Sequence, residues 1–189
     1  METASKSVRL TYQDLRRLPD DGLRHELIDG EHYVTPAPKW KHQRVSGQVF
    51  GHLFMYLRKH PLGRVYHAPL DVLFSESDCV EPDLLYVSRE REQQMTEDNL
   101  EGAPDLVIEI LSPSTKHVDR GVKHRLYEQF RVPEYWIIDP ESEMVRVYRL
   151  DVEGLPLHTE LSRREGTPVP VLSTPLLPGF ELSLDEIFE

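Results

Sequence analysis

The sequence predicts a mixed α/β (α+β) fold, a β-sheet flanked by helices, and three observations carry that prediction. Between His42 and His60 the apolar residues Val45, Val49, Leu53, Tyr56 and Leu57 recur at spacings of three and four, which marks one face of an amphipathic helix. The strand-length run Leu106-Val107-Ile108-Glu109-Ile110-Leu111 is apolar on both faces except at Glu109. The order helix, three strands, helix, strand then indicates a mixed sheet flanked by helices.

Along the chain, Thr11 to Leu18 reads as a short helix, with Thr11 as N-cap and Asp14 three residues on completing a capping-box pattern. Glu26-Leu27-Ile28, Asp29-Gly30 and Glu31 to Val34 read as an N-terminal hairpin, because Asp-Gly supplies the positive φ angles of a type I′ turn. Pro36 and Pro38 end its second strand. Pro61 and Gly63 stop the long helix, after which strands are expected at about Arg64 to Phe74 and Pro82 to Val87, separated by an acidic loop from Ser75 to Val80. Ser88 to Ala103 reads as a long loop or short helix. The strand Asp105 to Leu111 places Asp105, Val107, Glu109 and Leu111 on one face and Leu106, Ile108 and Ile110 on the other. A helix from about His117 to Phe130, a strand at Glu134 to Ile138, a turn at Asp139 to Ser142 and a strand at Met144 to Leu150 follow. The Pro- and Gly-rich remainder, Asp151 to Glu189, is expected to form a β-rich extension of edge strands and a closing helical turn.

A chain of 189 residues is most simply one domain, here 1–189, long enough to bury a core without disulfides. Its single cysteine, Cys79, excludes an intrachain disulfide and fits a reducing cytoplasm. The charged stretch Met1 to Leu10 lacks the apolar segment of a signal peptide, and no run approaches a membrane span, so a soluble, unanchored protein is expected. The net charge of −11 excludes a general nucleic-acid coat, because phosphate binding draws on clustered Lys and Arg. Any such contact must be local. The best candidate is Lys116 to Arg131, with five Lys/Arg against two acids.

Glu109 is the chemically informative residue. An ionised carboxylate among aliphatic neighbours costs several kcal/mol in desolvation unless a cation or hydrogen bonds compensate. Asp83 repeats the pattern where the apolar run Leu84 to Val87 begins, and Lys123 lies in the basic segment after the Ser112-Pro113-Ser114-Thr115 break. Two acids on adjacent strands could share one cation. Asp, Glu and Lys together make a candidate divalent-metal and phosphodiester site. Zinc is disfavoured, since the scattered histidines show no HExxH or similar spacing.

The motifs Glu26-Leu27-Ile28-Asp29-Gly30-Glu31, His42-Gln43-Arg44-Val45, Glu81-Pro82-Asp83-Leu84 and Pro104-Asp105 through Thr115 resemble the PD-(D/E)xK nuclease superfamily, and within it the Uma2 family. The resemblance continues through Lys123 and Tyr127, Glu134 to Pro140, and Leu177-Pro178-Gly179-Phe180, covering about Thr11 to Phe188. It departs from the superfamily string at Leu111, where E-x-K has lysine; in the Uma2 pattern Lys123 on the following helix matches instead. The resemblance implies a restriction-endonuclease-like core acting on DNA. It implies that Asp83 and Glu109 bind Mg²⁺, or Mn²⁺ as a substitute, with the Ile110 backbone carbonyl, and that Lys123 positions water or neutralises the scissile phosphate. Glu26 resembles the family's additional acid, and His42 and Tyr127 resemble supporting residues.

Each residue also has a plainer reading. Glu109 suits a structural salt bridge with Lys123 or Arg120, and Asp83 suits a strand-entry residue. Lys123 suits an exposed helix position paired with Asp119, and Glu26 a solvated hairpin. Tyr135 and Trp136 read as core. At the level of function, a Mg²⁺-dependent endonuclease competes with a non-catalytic nucleic-acid- or protein-binding module that keeps the fold, and with hydrolysis of a small phosphorylated molecule. A two-strand cut would need paired sites, so a homodimer is a further expectation.

Overall fold

The Asp29-Gly30 turn forms as the sequence dictates, with φ of 53° and 74° at its two central residues. It joins β1 (Arg24–Ile28) to β2 (Glu31–Thr35) in register from Arg24–Thr35 to Ile28–Glu31. The computed structural model describes residues 9–112, 117–164 and 166–189. Before the hairpin lies α1 (Tyr12–Leu15), closed by the expected capping box between Thr11 and Asp14.

Helix α2 (Trp40–Lys59) buries Val45, Val49, Leu53 and Leu57, the stripe that the sequence periodicity marks. Its N-cap, Lys39, makes no side-chain cap bond, a loss of about 1 kcal/mol. Four buried aliphatic side chains at roughly 1.5–3 kcal/mol each outweigh it.

The expected strand from Arg64 to Phe74 is two strands, β3 (Gly63–His67) and β4 (Asp71–Ser75), and they belong to different sheets. Pro69 lies between them and cannot donate to a ladder, so pairing ends and the chain changes sheet. The expected acidic loop is also replaced by structure. β5 (Asp78–Val80) returns against β4, and Asp78 is buried, accepting from the hydroxyls of Ser75 (2.6 Å) and Ser77 (3.2 Å) and from the Asp29 N–H (2.8 Å). An acid that appeared solvated in the sequence is thus a turn's internal acceptor. Cys79 is buried in β5, where desolvation and then Asp71, Glu81 and Glu26 push its thiol well above the ordinary range.

After β6 (Leu84–Ser88), the stretch read as a long loop or short helix contains a one-turn 3-10 helix at Glu92–Gln94 and a strand, β7 (Asn99–Glu101). β8 (Leu106–Ile110) follows. The helix expected from about His117 begins as a wide π-type segment, Val118–Lys123, and continues as α3 (His124–Gln129). Of the break at 112–115, only Ser112 lies within the described residues, and Lys116 of the basic segment lies outside them. β9 (Glu134–Asp139) and β10 (Met144–Arg149) form the expected pair. The extension adds β11 (Leu157–Ser162) at the sheet edge, the pair β12 (Val171–Ser173) and β13 (Glu181–Ser183), and a closing helix α4 (Leu184–Phe188).

The main sheet has the order β11-β10-β9-β8-β6-β3, with β8 and β9 parallel and the other pairs antiparallel. A second sheet has the order β2-β1-β5-β4-β7. Leu106, Ile108 and Ile110 on one face of β8 pack with the α2 stripe and with Leu172, Phe180 and Ile187 of the extension. Val107 and Leu111 on the other face pack with Ile28, Val72 and Val80 of the second sheet and with Leu126 and Tyr127 of α3. The alternation along β8 therefore assigns Glu109 to the side where the second sheet and the π-type segment meet. Tyr135 and Trp136 are core, as expected. Among the described residues no helix is long and apolar enough to cross a membrane.

Candidate active site

Three elements converge on Glu109. The antiparallel register of β6 and β8 pairs Leu84 with Ile108, so one step further Asp83 stands opposite Glu109 on the same sheet face. Period-two alternation in β1 places Arg24 and Glu26 on one side of that strand. The π-type segment delivers Asp119 and Lys123, both buried. His42, in the first turn of α2, completes the wall of a cavity of about 330 Å³ lined by Arg24, Glu26, Asp83, Glu109 and Lys123 among others.

The side chains form a continuous polar network. Lys123 Nζ lies 2.9 Å from Glu109 Oε1, 2.8 Å from Glu26 Oε1 and 3.8 Å from Asp119 Oδ1. The Tyr127 hydroxyl donates to Glu109 Oε1 at 2.8 Å, and the Glu81 N–H donates to Glu26 Oε1 at 2.8 Å. Arg24 Nη1 donates to Asp83 Oδ1 at 2.8 Å, while Asp83 Oδ2 accepts from the Ile110 N–H at 2.8 Å and faces His42 Nε2 at 3.0 Å. Since an ionised carboxylate can only accept, Nε2 carries the proton in that contact. His42 Nδ1 is buried with no hydrogen-bond partner among the described residues.

Electrostatically the cavity is short of positive charge. Among the described residues that line it, four acids, Glu26, Asp83, Glu109 and Asp119, outnumber three permanent cations, Arg24, Lys39 and Lys123. Glu109 is 2 % exposed and Lys123 4 %. Burial, which Lys123 only partly offsets and which Asp119, Asp83 and Glu26 reinforce, pushes the Glu109 carboxyl up to about 8. Lys123 is held well above its usual range: burial works against its charge, but Glu109, Glu26 and Asp119 outweigh it. Asp83 is held below the usual carboxylate range despite burial, by its bond and charge interaction with His42, by Arg24 and by the Ile110 N–H. Next to it, Glu81 is pushed up to about 7 by burial and by Asp71 and Glu26.

Among the described residues no three or more His, Cys, Asp or Glu side chains converge as a ready-made metal cage. The donor set nevertheless fits a hard divalent ion such as Mg²⁺. That ion retains several waters and takes one or two carboxylates together with substrate phosphate. Asp83 and Glu109 are two such carboxylates, Ile110 lines the same cavity, and acids outnumber permanent cations along its wall.

The structure brings Glu26, Asp83, Glu109, Ile110 and Lys123 to one cavity and gives the two strand acids different cations. Lys123 contacts Glu109, Glu26 and Asp119, whereas Asp83 is served by Arg24 and His42. The exposed-helix reading of Lys123 and Asp119 and the solvated-hairpin reading of Glu26 are overturned, since all three are buried. Arg24 went unrecognised, although it stands two residues before Glu26 and so shares its strand face. The Lys116 to Arg131 segment is also less of a basic patch than its composition suggests. Among its described residues Lys123 is buried among acids, and of the exposed Arg120, Arg125 and Arg131 the first pairs with Asp139 at 3.0 Å.

The family model Uma2, described as "Putative restriction endonuclease", matches residues 12–185. The fold is similar to the crystal structure of "a putative nuclease belonging to DUF820 from Anabaena variabilis ATCC 29413", at a TM-score of 0.77 and 21% identity, over 95% of this chain and 97% of that one. No curated protein matches the sequence.

Proposed function

The chain belongs to the Uma2 family, and from the chemistry of its cavity we propose that it is a Mg²⁺-dependent endonuclease that hydrolyses phosphodiester bonds in DNA. The supporting observation is the placement of Asp83 and Glu109 opposite each other on adjacent strands, with a buried lysine bridging Glu109 to Glu26. In this reading Asp83, Glu109 and the Ile110 carbonyl hold the ion. When bound, it supplies Lewis acidity toward a phosphoryl oxygen and toward the attacking water. Lys123 supplies fixed positive charge to the phosphate in a site largely closed to water. Tyr127 and Lys123 both engage Oε1 of Glu109, and Arg24 and His42 hold the Asp83 carboxylate in place. Glu26 sets the position of Lys123. Hydrolysis exchanges one P–O ester bond for a P–O bond from water, with the proton delivered to the leaving oxygen. Cleavage of both strands would call for two copies of the chain.

The test is incubation of the purified protein with Mg²⁺ or Mn²⁺ and supercoiled, linear and branched DNA, alongside Glu109→Ala and Asp83→Ala. Metal-dependent cleavage that both variants lose is the expected result. Intact DNA throughout, with variants indistinguishable from the parent, would remove catalysis on DNA.

A second reading, a binding module that keeps the fold without catalysis, draws on the closed state of the network. Asp83 already accepts from Arg24 and Ile110, and Lys123 is already bound to Glu109 and Glu26. Calorimetry separates the two, since the endonuclease binds Mn²⁺ and loses it with Asp83→Ala or Glu109→Ala, and the binding module takes none.

A further inference from the structure

Lys39, Trp40 and Lys41, at the start of α2, lie beside the cavity just before His42, the residue of this turn that contacts Asp83. Lys39, Trp40 and Lys41 line a side groove of about 200 Å³ whose opposite wall is Pro140 and Glu141. Lys39, His42 and Ser112 line both this groove and the main cavity, so the two adjoin. Trp40 is 68 % exposed, and the Arg44 guanidinium lies over its ring at 5.7 Å from the centroid. Among the described residues Lys41 meets Glu141 at 3.6 Å between two half-exposed side chains, a pair weak enough to be released by a ligand. The first turn of α2 contains no acid.

Single apolar residues on a surface need no explanation. This indole differs because it is flanked by lysines, lies beneath a guanidinium and lines a groove that adjoins the acid-rich cavity. In a chain of net charge −11, a cationic lip with an exposed aromatic ring complements a phosphodiester strand that offers a free base face. Bases inside an intact duplex are stacked on each other and offer none.

We propose that Trp40 is a stacking platform for an unpaired base of the substrate strand, with Lys39 and Lys41 on the neighbouring phosphates, so that the cavity receives single-stranded or frayed nucleic acid. The inference rests on the endonuclease reading above and adds the substrate's strandedness.

The test uses the full chain, without divalent ion, titrated with an oligothymidylate single strand or a blunt duplex of equal length. Trp40 and Trp136 are the only tryptophans and Trp136 is buried, so quenching by stacking reports Trp40. The single strand is expected to quench the indole and the duplex is not. Trp40→Ala should weaken single-strand binding roughly tenfold, with Trp40→Phe recovering most of it. Lys39→Ala should lower the salt dependence by roughly 0.7 in log–log slope. Equal binding of duplex and single strand, unaffected by Trp40→Ala, would overturn this inference and leave metal-dependent cleavage standing. Quenching that grows with protein concentration in the absence of DNA would assign the patch to a second copy of the chain and also overturn it. Failure to bind or cleave DNA of any form would remove both readings.

Discussion

Glu109 and Glu134 are two buried glutamates on neighbouring parallel strands, and their surroundings differ in one decisive respect. Glu134 has a cation to itself. Its Oε1 accepts from the Trp136 indole at 2.6 Å, and its Oε2 accepts from Arg149 at 2.8 Å and the Thr174 hydroxyl at 3.2 Å. Glu109 shares Lys123 with Glu26 and Asp119 and stands opposite Asp83 in a cavity. One carboxylate is balanced where it stands; the other leaves the site in need of a proton or an added cation. Burial of an acid therefore does not by itself mark a site. The ratio of acids to cations, together with access from a cavity, separates the two cases.

That contrast can be broken most directly by matched substitutions. Glu109→Gln should lower DNA cleavage at least a hundredfold, roughly 3 kcal/mol of transition-state stabilisation or more, and remove Mn²⁺ binding. It should change the unfolding free energy by less than about 1 kcal/mol, because it also relieves repulsion among the acids. Glu134→Gln should do the reverse, losing about 2–3 kcal/mol in denaturant melts and leaving Mn²⁺ affinity unchanged. If both substitutions had the same profile, the distinction would be empty.

The pH dependence sharpens the contrast further. Glu109, pushed up to about 8, holds its proton at neutral pH, and a cation must displace it. Mn²⁺ affinity should thus rise about tenfold between pH 6 and 7 and level off above about 8, read by calorimetry in buffers of different ionisation enthalpy. In the metal-free protein the sign is opposite. Glu109 and Glu81 bind protons more tightly folded than unfolded, so stability should fall as pH rises from about 4.5 toward 8. The smallest expected effect is that of Tyr127→Phe, which deletes one hydrogen bond to Glu109 and should cost about 1 kcal/mol of stability. Metal binding should survive it.

Much of the fold was legible because local rules sufficed. The Asp29-Gly30 turn, the α2 stripe and the two-sided β8 each depend on backbone geometry repeating over a few residues. The split of Arg64 to Phe74 into strands of two sheets was not legible, since β propensity continues across the point where pairing partners change. Within the site, Glu109 stood out because an acid in an aliphatic strand violates the pattern around it. Asp119 and Arg24 did not, because charged residues four or two positions from another charge are common on surfaces. Burial alone distinguishes them here.

The sequence by itself determined the Asp29-Gly30 hairpin, the apolar stripe of α2 and which carboxylate sits in an apolar strand, because periodicity and desolvation act within a single segment. The tertiary structure decided the partners. Lys123 meets Glu26, 97 positions away in the chain, and Asp83 is served by Arg24 rather than by the lysine. The packing of the second sheet and the π-type segment against β8 sets those distances. Charge balance in the cavity depends on them, and no local pattern encodes it.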